Sequence, residues 1–473
     1  MSDRDGFRVG VDDADGYRQV YASPHPAGVG GLSRDGLLLA LSHTEHGDTL
    51  HPALRVCDAR TGEALAELWD GPGNGVTASG WCPVPGDGRL AIVADRTGRR
   101  LPEVWTPTTG ERVPLTVDLP GEVSVADWSP DGTWLLLAAE HLGRVTLHRY
   151  DLSLQRREAL PLPTGTVSAA RVRPDGSLWY AFTSSAAPPQ VRVRSGSGDA
   201  VLLTPPGQAA PDGVAYTSLH YGNGDGGEVH AFLATPPGDG PFPLVVEAHG
   251  GPHWQVSDSF DPPTQAWVDH GFAVLQPNYR GSTGYGKRWE DALIGDPGRP
   301  ELVDLLAGRD HLVTEGVADA DRCVLTGGSW GGYLTLQGLG TQPHAWAAGV
   351  AVVPVADYLT AFADESPGLQ EFDRSLFGGT PSDLPELYAE RSPLTHVVAV
   401  AAPVLVITGA NDTRCPKRQV DRYVDALRRL DKPHAYHVFE AGHGSLAVEE
   451  TIRQRALALD FVAEHLATPP AQR

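Results

Sequence analysis

Hydrophobic and polar positions follow two different patterns along this chain, and the first is a repeat of short strands and tight turns. Four segments each carry an Asp-Gly pair between apolar runs: GLSRDGLLLALS, GWCPVPGDGRLAIVA, DWSPDGTWLLLAA and RVRPDGSLWYAFT. Asp-Gly supplies the positive φ angles that tight hairpins need. The turn aspartates, Asp35, Asp87, Asp131 and Asp175, are 52, 44 and 44 residues apart, close to the length of a four-stranded propeller blade.

A second hairpin follows each of these segments and completes four strands per repeat. These hairpins are LRVCDARTGEALAELW, EVWTPTTGERVPLTV, VTLHRYDLSLQRREAL and VRVRSGSGDAVLLT. The repeat predicts a four-bladed β-propeller over residues 25–212, after an N-terminal extension of residues 1–24. Two alternatives stay open: FRVGVDDADGYRQVYA near the start supplies a degenerate fifth blade, or the turns belong to another all-β fold such as a sandwich.

The second pattern begins near residue 214, where strands alternate with helices. Six apolar runs are candidate strands, and all but AGVAVVPV end in polar or glycine-rich residues: FPLVVEAHGG, FAVLQPNYRG, CVLTGGS, AGVAVVPV, PVLVITGAND and AYHVFEAGHG. This alternation predicts a mostly parallel sheet covered by helices on both faces over residues 213–473. The chemistry of such sheets gathers at the carboxyl ends of the strands.

Composition restricts the classes of partner. The chain has 37 Lys and Arg against 59 Asp and Glu, a formal net charge of −22, and no basic cluster, which argues against nucleic acid or an anionic membrane as partner. The simplest explanation of this negative charge is that it keeps the protein soluble, and the alternative is that it attracts a cationic substrate. The apolar runs are shorter than the roughly 18 residues that a transmembrane helix needs. The first residues carry charges where a secretory signal needs apolar ones, so we expect a cytoplasmic protein, in which a homo-oligomer remains open.

The cysteines give no sign of a disulfide framework or a metal site. Cys57, Cys82, Cys323 and Cys415 form no Cys-x-x-Cys pair and have no His/Cys ligand spacing. We therefore expect buried free thiols, no metal and no organic cofactor.

The clearest chemical signal is the segment TGGSWGG, residues 326–332. Gly-x-Ser-x-Gly between a strand and a helix is the nucleophile elbow, a strained turn whose small neighbours leave the serine hydroxyl exposed. Here the motif follows the apolar run RCVLT and precedes the helix-like YLTLQGLG. Ser329 is therefore the predicted nucleophile of an α/β-hydrolase domain.

A serine nucleophile needs a histidine as general base and a carboxylate to orient that histidine. In α/β-hydrolases both lie downstream, in the order acid and then histidine. Asp412 follows the strand-like PVLVITGAN, and His443 follows HVFEAG in the same kind of position. Asp357 is a weaker candidate for the acid, and its position favours a loop or helix-cap residue. Three further histidines lack a glycine-flanked loop at a strand end: His396, His434 and His437.

The tetrahedral oxyanion needs two backbone N–H donors. One is the residue after the serine, Trp330, and the second should come from the loop EAHGGPHW. Glycines in that loop let the backbone approach the substrate closely. We predict the amide of Gly251 as the second donor, with Gly250 as the alternative.

Several motifs resemble those of the prolyl oligopeptidase family of serine peptidases, especially its acylaminoacyl-peptidase and aminopeptidase-like branch. HGGP, PNYRGSTGYGKRW, GGSWGGYLT, ERSPLTHV, GANDTRCP and AGHG occur in the family's order, over about residues 214–468. The resemblance implies that Ser329, Asp412 and His443 are the catalytic triad. It also implies a propeller before the hydrolase domain, which would restrict entry to short substrates.

Two departures from the family pattern affect the expected substrate. The propeller has room for about four blades rather than seven or more, as in small bacterial members that look like puromycin hydrolases. Family members often carry an arginine in the helical stretch where SPGLQEFDRSLFGG places Gln370. The adjacent Glu371 is a candidate ligand of a free substrate α-amino group. The alternative is that Glu371 is an ordinary solvated residue of a helix. Arg374 is a second candidate for the position of the family's arginine.

The sequence therefore predicts a serine hydrolase that cleaves short peptides, aminoacyl amides or related small amides through an acyl-enzyme intermediate. An esterase or acyltransferase with the same triad is the first alternative, because the triad fixes acyl transfer but not the leaving group. A non-catalytic scaffold, in which the propeller recruits partners, is the alternative from another class.

Overall fold

Antiparallel sheets build the first part of the chain. The computed structural model describes residues 2–3, 6–13, 16–196 and 198–467. Within them, residues 27–203 form four sheets of four strands, each sheet made of strands that follow one another in the sequence. The strands are Ala27–Leu32, Leu38–His43, Ala53–Asp58 and Ala64–Leu68; Val76–Trp81, Leu90–Ala94, Leu101–Thr106 and Glu111–Pro114; Glu122–Trp128, Trp134–His141, Arg144–Asp151 and Arg156–Leu160; Thr166–Val172, Leu178–Ser184, Ala187–Ser195 and Gly198–Leu203. The predicted propeller is confirmed.

In the first, third and fourth of these sheets, the turn between the first two strands has the geometry that Asp-Gly predicts, whereas in the second sheet the glycine with positive φ is Gly86, before Asp87. In the first sheet, Asp35 accepts a hydrogen bond from Ser33 Oγ at 2.7 Å, and Gly36 has φ of +71°. In the third sheet, Asp131 accepts from Ser129 Oγ at 2.7 Å, and Gly132 has φ of +68°. The aspartate fixes the turn and the glycine takes the left-handed conformation at little cost, which explains why Asp-Gly recurs at these turns.

A recurring tryptophan links consecutive sheets. Trp81 Nε1 of the second sheet donates to the Gly31 carbonyl oxygen of the first, and Trp128 Nε1 of the third sheet donates to the Gly80 carbonyl oxygen of the second, both at 2.9 Å. Both tryptophans are buried among apolar side chains. Each ring therefore contributes apolar burial and also satisfies a backbone carbonyl between blades.

The segment before the first four-stranded sheet also forms strands. Ser2–Asp3, Gly6–Asp13 and Gly16–Ser23 make an antiparallel sheet of three strands. Val9 and Val20 of this sheet pack against Leu39, Leu41 and Cys57 of the next. The stretch considered as a degenerate fifth blade thus belongs to a sheet of three strands, one fewer than in each of the four sheets that follow.

The second part of the chain is built around one eight-stranded sheet. In spatial order its strands are Thr217–Gly222, Glu228–Ala234, Ala273–Asn278, Phe242–Ala248, Ala318–Gly328, Ala348–Val352, Val404–Gly409 and His434–Phe439. The first two strands are antiparallel to their neighbours, and the other six run parallel to one another. This is the predicted α/β-hydrolase sheet, whose parallel strands end on one edge.

Helices surround this sheet. They are Pro262–Asp269, Lys287–Glu290, Pro300–Thr314, Trp330–Thr341, Tyr358–Asp364, Pro367–Phe377, Pro385–Glu390, Pro393–His396, Lys417–Arg429 and Val448–Ala467, with 3₁₀ turns at Asp291–Leu293 and Val397–Ala399. The strand Val404–Gly409 is buried at every residue, as expected of a strand covered on both faces. The apolar strands thus form a rigid base for the loops at their carboxyl ends.

The chain divides into two compact units. The first contains Met1–Asp212 and two short later segments, Ser257–Phe260 and Gly284–Arg288, and the second contains the rest. In the described part of the chain, no helix is both long enough and apolar enough to cross a bilayer. The residues that carry the predicted chemistry all belong to the second unit.

Candidate active site

Ser329 lies at the junction of the central strand Ala318–Gly328 and the helix Trp330–Thr341. Its φ and ψ of 56° and −114° are unfavourable for a residue with a side chain. The turn is held on both sides: Ser329 N–H donates to the Val352 carbonyl oxygen at 2.8 Å, and Tyr333 N–H donates to the Ser329 carbonyl oxygen at 2.9 Å. This is the local geometry of a nucleophile elbow.

The glycines around Ser329 are required by close backbone packing. A Cβ on Gly331 would lie 1.9 Å from the Ala248 carbonyl oxygen, and one on Gly327 would lie 2.4 Å from the same atom. A Cβ on Gly332 would lie 2.7 Å from the Val352 carbonyl oxygen. Backbone atoms cannot move aside as a flexible side chain can, so these three positions exclude every larger residue. At Gly328 the nearest atom is 4.0 Å away, and nothing in the structure explains that glycine.

The three residues predicted as nucleophile, base and acid meet at the carboxyl edge of the sheet. His443 Nε2 is 2.9 Å from Ser329 Oγ, and His443 Nδ1 is 2.8 Å from Asp412 Oδ2. Asp412 follows the strand Val404–Gly409, and His443 follows the strand His434–Phe439. The continuous chain of hydrogen bonds allows a proton to pass from the serine hydroxyl to the imidazole while the carboxylate faces the other ring nitrogen.

The Asp412 carboxylate is fixed by the backbone of its own loop. The amides of Arg414 and Cys415 donate to Asp412 Oδ1 at 2.8 Å and 2.9 Å, which leaves Oδ2 for His443. The Asp412 side chain is fully buried, whereas His443 is 18% exposed. A buried carboxylate with all its bonds made orients the histidine, and the exposed edge of the ring stays accessible to a leaving group.

The weaker sequence candidates have other partners. Asp357 occupies the N-cap position of the helix Tyr358–Asp364, and its carboxylate pairs with Arg422 and accepts from Thr360 Oγ1 at 2.5 Å. The three other histidines bond elsewhere: His396 to the Glu390 carbonyl oxygen, His434 to the Lys432 carbonyl oxygen and His437 to the Glu450 carboxylate. None of these bonds involves Ser329.

The loop that was predicted to complete the oxyanion hole lies beside the nucleophile. A Cβ on Gly250 would lie 3.2 Å from the Gly328 carbonyl oxygen and 3.7 Å from Ser329 Cβ. Gly251, the next residue, has φ of +136°, which residues with a side chain rarely adopt. Glycine at both positions thus allows the backbone to run against the serine.

His249 and Tyr279 stabilise this loop by a hydrogen bond and by stacking of their rings. Tyr279 Oη donates to the His249 carbonyl oxygen at 2.6 Å, and the two rings stack with centroids 4.1 Å apart. Burial lowers the pKa of His249 to about 4, so its imidazole is neutral at pH 7. Its Nδ1 lies 2.8 Å from the Gly250 carbonyl oxygen, to which it can only donate. The neutral ring therefore fixes the direction of the Gly250 peptide group.

Arg280, in the same PNYRG motif, anchors the segment to a helix. Its Nη2 pairs with the fully buried Asp304 at 2.8 Å, and its backbone N–H donates to the other oxygen of that carboxylate at 2.7 Å. Asn223 Nδ2 donates to Asp304 at 2.9 Å. These charge-assisted bonds satisfy the buried carboxylate and fix the start of the loop that follows the strand Ala273–Asn278.

Cys415 is a neighbour of the site that the sequence identified only as a buried thiol. One ligand atom from each of Asp412, Cys415 and His443 lies within 4.8 Å of the others. Burial raises the pKa of the Cys415 thiol well above its usual value, so it stays protonated. A metal ion here would have to replace both the thiol proton and the His443–Asp412 bond, which makes this group a poor resident metal site.

The proposed substrate ligand Glu371 lies on the helix Pro367–Phe377. Its carboxylate pairs with Arg374, one turn further on the same helix. Gln370 Nε2 donates to the Phe362 carbonyl oxygen at 2.7 Å. The Glu371 carboxylate is therefore already paired with Arg374. A substrate amine that bound Glu371 would have to compete with this arginine.

The sequence did not indicate a pair of buried carboxyl groups, one in this helix and one just before it. Glu365 follows the helix Tyr358–Asp364, and Asp373 lies in the helix Pro367–Phe377. Glu365 Oε2 and Asp373 Oδ2 are buried without a hydrogen-bond partner. Burial raises the pKa of both groups, and the proximity of the two carboxyls raises that of Glu365 further. They enter the fold more easily as neutral acids than as carboxylates.

The pair makes stability depend on pH. Because the pKa of Glu365 is raised in the folded chain, the unfolded chain loses this proton first as the pH rises above about 4.5. The free energy of unfolding should therefore fall from acid toward alkaline pH, by about 1–3 kcal/mol for a tenfold to hundredfold change in proton affinity. Glu365→Gln, which stays neutral, should show a shallower fall of Tm between about pH 5 and pH 9.

The matched control for this prediction is Glu315→Gln, at an exposed glutamate of the same unit. Thermal unfolding of the three proteins would be followed by circular dichroism at each pH. Parallel curves for wild type and Glu365→Gln would contradict the prediction.

Comparison with known proteins agrees with this geometry. The model of the prolyl oligopeptidase family matches residues 258–468. The chain is 29% identical over 450 residues to dipeptidyl aminopeptidase BIII of Pseudoxanthomonas mexicana, covering 92% of this chain and 59% of that protein. It is 32% identical over 251 residues to the acylamino-acid-releasing enzyme of Rattus norvegicus, covering 50% of this chain and 32% of that protein. The chain thus spans less than two thirds of the length of these relatives.

Solved structures give the same picture for nearly the whole chain. A puromycin hydrolase superposes with a TM-score of 0.85 at 25% identity, covering 97% of this chain and 72% of that one. An acylaminoacyl peptidase superposes with a TM-score of 0.76 at 19% identity, covering 96% and 72% of the two chains, and shows similarity of fold alone. The similarity therefore includes both the propeller and the sheet that carries Ser329.

Proposed function

Because the C-terminal domain of this chain belongs to the prolyl oligopeptidase family, we propose that the protein is a serine peptidase or amidohydrolase. Its substrates are short peptides, aminoacyl amides or related small amides. The observation that carries the proposal is the unbroken hydrogen-bond chain from Ser329 Oγ through His443 to Asp412. It is the arrangement that an otherwise weak serine nucleophile needs at neutral pH.

The reaction proceeds through an acyl-enzyme. Ser329 Oγ attacks the substrate carbonyl carbon while His443 Nε2 takes the hydroxyl proton, and the carbonyl oxygen becomes an oxyanion. We assign the amides of Trp330 and Gly251 to that oxyanion. Collapse of the intermediate breaks the carbon–nitrogen bond, and His443 returns the proton to the leaving amine. Water, activated by the same imidazole, then hydrolyses the ester on Ser329.

Asp412 holds His443 in the tautomer that this sequence of steps requires. With its Nδ1 proton directed to Asp412 Oδ2, the imidazole presents a lone pair at Nε2 to the serine hydroxyl. The carboxylate also stabilises the imidazolium that forms after proton transfer. No step of this mechanism needs a metal ion or an organic cofactor.

The names of the relatives support peptide and amide substrates; one name indicates a free amino end, whereas another indicates an acylated one. They describe a dipeptidyl aminopeptidase, an acylamino-acid-releasing enzyme and a puromycin hydrolase. For this chain we propose the narrower aminopeptidase-like activity, in a cytoplasmic protein whose four cysteines are free thiols. The net charge of −22 fits a substrate that carries an amino group better than one that carries phosphate.

A panel of chromogenic substrates tests the reaction class. Steady-state rates would be compared on aminoacyl and dipeptidyl anilides, N-acylated anilides and nitrophenyl esters. We expect hydrolysis of anilides with a free amino group. Turnover of the esters alone would contradict the amidase proposal and leave the esterase alternative.

Glu371 is proposed to bind the free α-amino group of the substrate. A hydrogen bond between charged groups contributes about 1.5–3 kcal/mol, which is at least about a tenfold effect on kcat/KM. Glu371→Gln should therefore reduce the preference for free over N-acetylated anilides by about tenfold. Glu386→Gln, at an exposed glutamate of the following helix, is the control. An unchanged preference in Glu371→Gln would remove this residue from the site.

A further inference from the structure

Two histidines and a glutamate come together on the first four-stranded sheet of the propeller. His43 ends the strand Leu38–His43, His46 lies in the loop that follows, and Glu67 lies in the strand Ala64–Leu68. One nitrogen or oxygen atom of each lies within 4.8 Å of those of the other two. His46 Nε2 is 2.8 Å from Glu67 Oε1, and His43 Nε2 is 3.7 Å from Glu67 Oε2. This cluster is separate from the candidate active site and takes no part in the proposed function.

His43 is the unusual member of the group. It is 0% exposed, and neither of its ring nitrogens has a hydrogen-bond partner. A buried imidazole without a partner is unfavourable, because it has lost its bonds to water and gained none. Its Nε2 points toward the Glu67 carboxylate without reaching it. The observation points to a ligand that bridges the gap.

The donor types suit a cation. Two imidazoles and one carboxylate offer the nitrogen and oxygen atoms that divalent transition metals accept as ligands.

The surroundings hold the ligands in place. The His46 ring stacks on Trp69 with centroids 4.1 Å apart and planes 7° apart. Glu45 Oε2 lies 3.9 Å from His43 Nδ1, the ring nitrogen that does not face Glu67. A small shift would let His43 Nδ1–H donate to Glu45, as the second nitrogen of a metal-bound histidine commonly does to a carboxylate.

Arg55 is the competing cation in this cluster. Its Nη2 bonds Glu67 Oε2 at 2.6 Å and Glu45 Oε2 at 2.8 Å. Glu67 Oε1 makes no bond to Arg55 and faces His46 instead. One carboxylate oxygen can therefore ligate an ion while the other keeps the arginine. The two acidic side chains also offset the positive charge of Arg55.

We propose that His43, His46 and Glu67 form a binding site for a divalent transition-metal ion, with Zn²⁺ the best match. Two imidazole nitrogens and one carboxylate oxygen are ligands that zinc accepts in tetrahedral sites, with water as the fourth. The ion would bind one strand, the following loop and a second strand of the same sheet, and it would add its binding free energy to the stability of that sheet.

The proposal is tested on the full chain after removal of metals with a chelator. Zn²⁺ alone would be titrated by calorimetry, and thermal unfolding would be followed with and without Zn²⁺. We expect one site per chain and a rise in Tm that increases with Zn²⁺ concentration. Co²⁺ at the same site should give the visible absorption of tetrahedral coordination.

Variants at the two less buried ligands locate the ion. His46→Ala and Glu67→Gln should each weaken Zn²⁺ binding by roughly 100-fold and abolish the rise in Tm. His344→Ala, at an exposed histidine of the second unit, should bind as wild type does. Amide hydrolysis by metal-free wild type and by His46→Ala should be equal, so failure of the metal site and failure of the peptidase proposal are separate results.

Two outcomes would overturn the proposal. Binding that survives both His46→Ala and Glu67→Gln would place the ion elsewhere, for example at Asp412, Cys415 and His443. An absence of Zn²⁺ binding to wild type would mean that the cluster is an ion-pair network only.

Discussion

Ser329→Ala is expected to lower kcat/KM for a free aminoacyl anilide by about 10⁶, with no measurable change in Tm. The substitution removes the oxygen that forms the bond to the substrate, while the strained backbone at φ 56° and the bonds that hold the turn are unchanged. Binding and the oxyanion donors remain, so a small residual rate above the uncatalysed reaction should persist.

Traces of wild-type enzyme would hide so large a loss of activity. The variant must therefore be prepared without contact with wild-type enzyme. Ser382→Ala, at an exposed serine of the same unit, is the matched control and should keep full activity. The scaffold alternative predicts no effect of Ser329→Ala on the function of the protein. Activity retained within tenfold would therefore contradict both the nucleophile assignment and the proposed reaction.

Asp412→Asn is expected to lower kcat by about 10⁴ while the fold is retained. The amides of Arg414 and Cys415 would keep the side-chain oxygen in place, so the new NH₂ group would face His443 Nδ1. That group donates where the carboxylate accepts, and it selects the tautomer with the proton on Nε2. An imidazole in this tautomer cannot take the proton of Ser329.

Asp357→Asn is the matched control, because Asp357 was the other aspartate that the sequence offered. Its carboxylate bonds Arg422 and Thr360 rather than a histidine. We expect a loss of stability from the broken ion pair but a change in kcat of less than about tenfold. Rates of both variants, measured where each is folded by circular dichroism, decide between the two aspartates. A larger loss of kcat in Asp357→Asn would contradict the assignment of Asp412.

The sequence was most informative where function depends on residues that are close along the chain. Asp-Gly turns, their spacing and the paired hairpins indicated the propeller, because a turn and its two strands lie within about fifteen residues of one another. The same holds for TGGSWGG, where the neighbours of Ser329 at positions 327 and 331 already indicated an elbow. Asp412 and His443 could also be selected, since each follows a strand whose order in such sheets is known.

Other parts of the site depend on contacts that no local pattern encodes. Gly332 is required by the Val352 carbonyl oxygen of the adjacent strand, and Cys415 lies beside His443 because two loops meet at one sheet edge. Glu365 and Asp373 belong to no sequence motif, and only their burial reveals an acid pair.

The histidine cluster of the propeller illustrates the same difference. The sequence spacing of His43, His46 and Glu67 matches no metal motif, so the sequence alone does not indicate a site there. Antiparallel pairing places residue 67 beside residue 55, and the preceding pairing and the loop bring residues 43 and 46 to the same place. The sequence by itself determined the two folds, and it selected the three residues that we propose as nucleophile, acid and base. Only the tertiary structure decided which buried polar groups face one another, because burial and proximity arise when distant segments pack together.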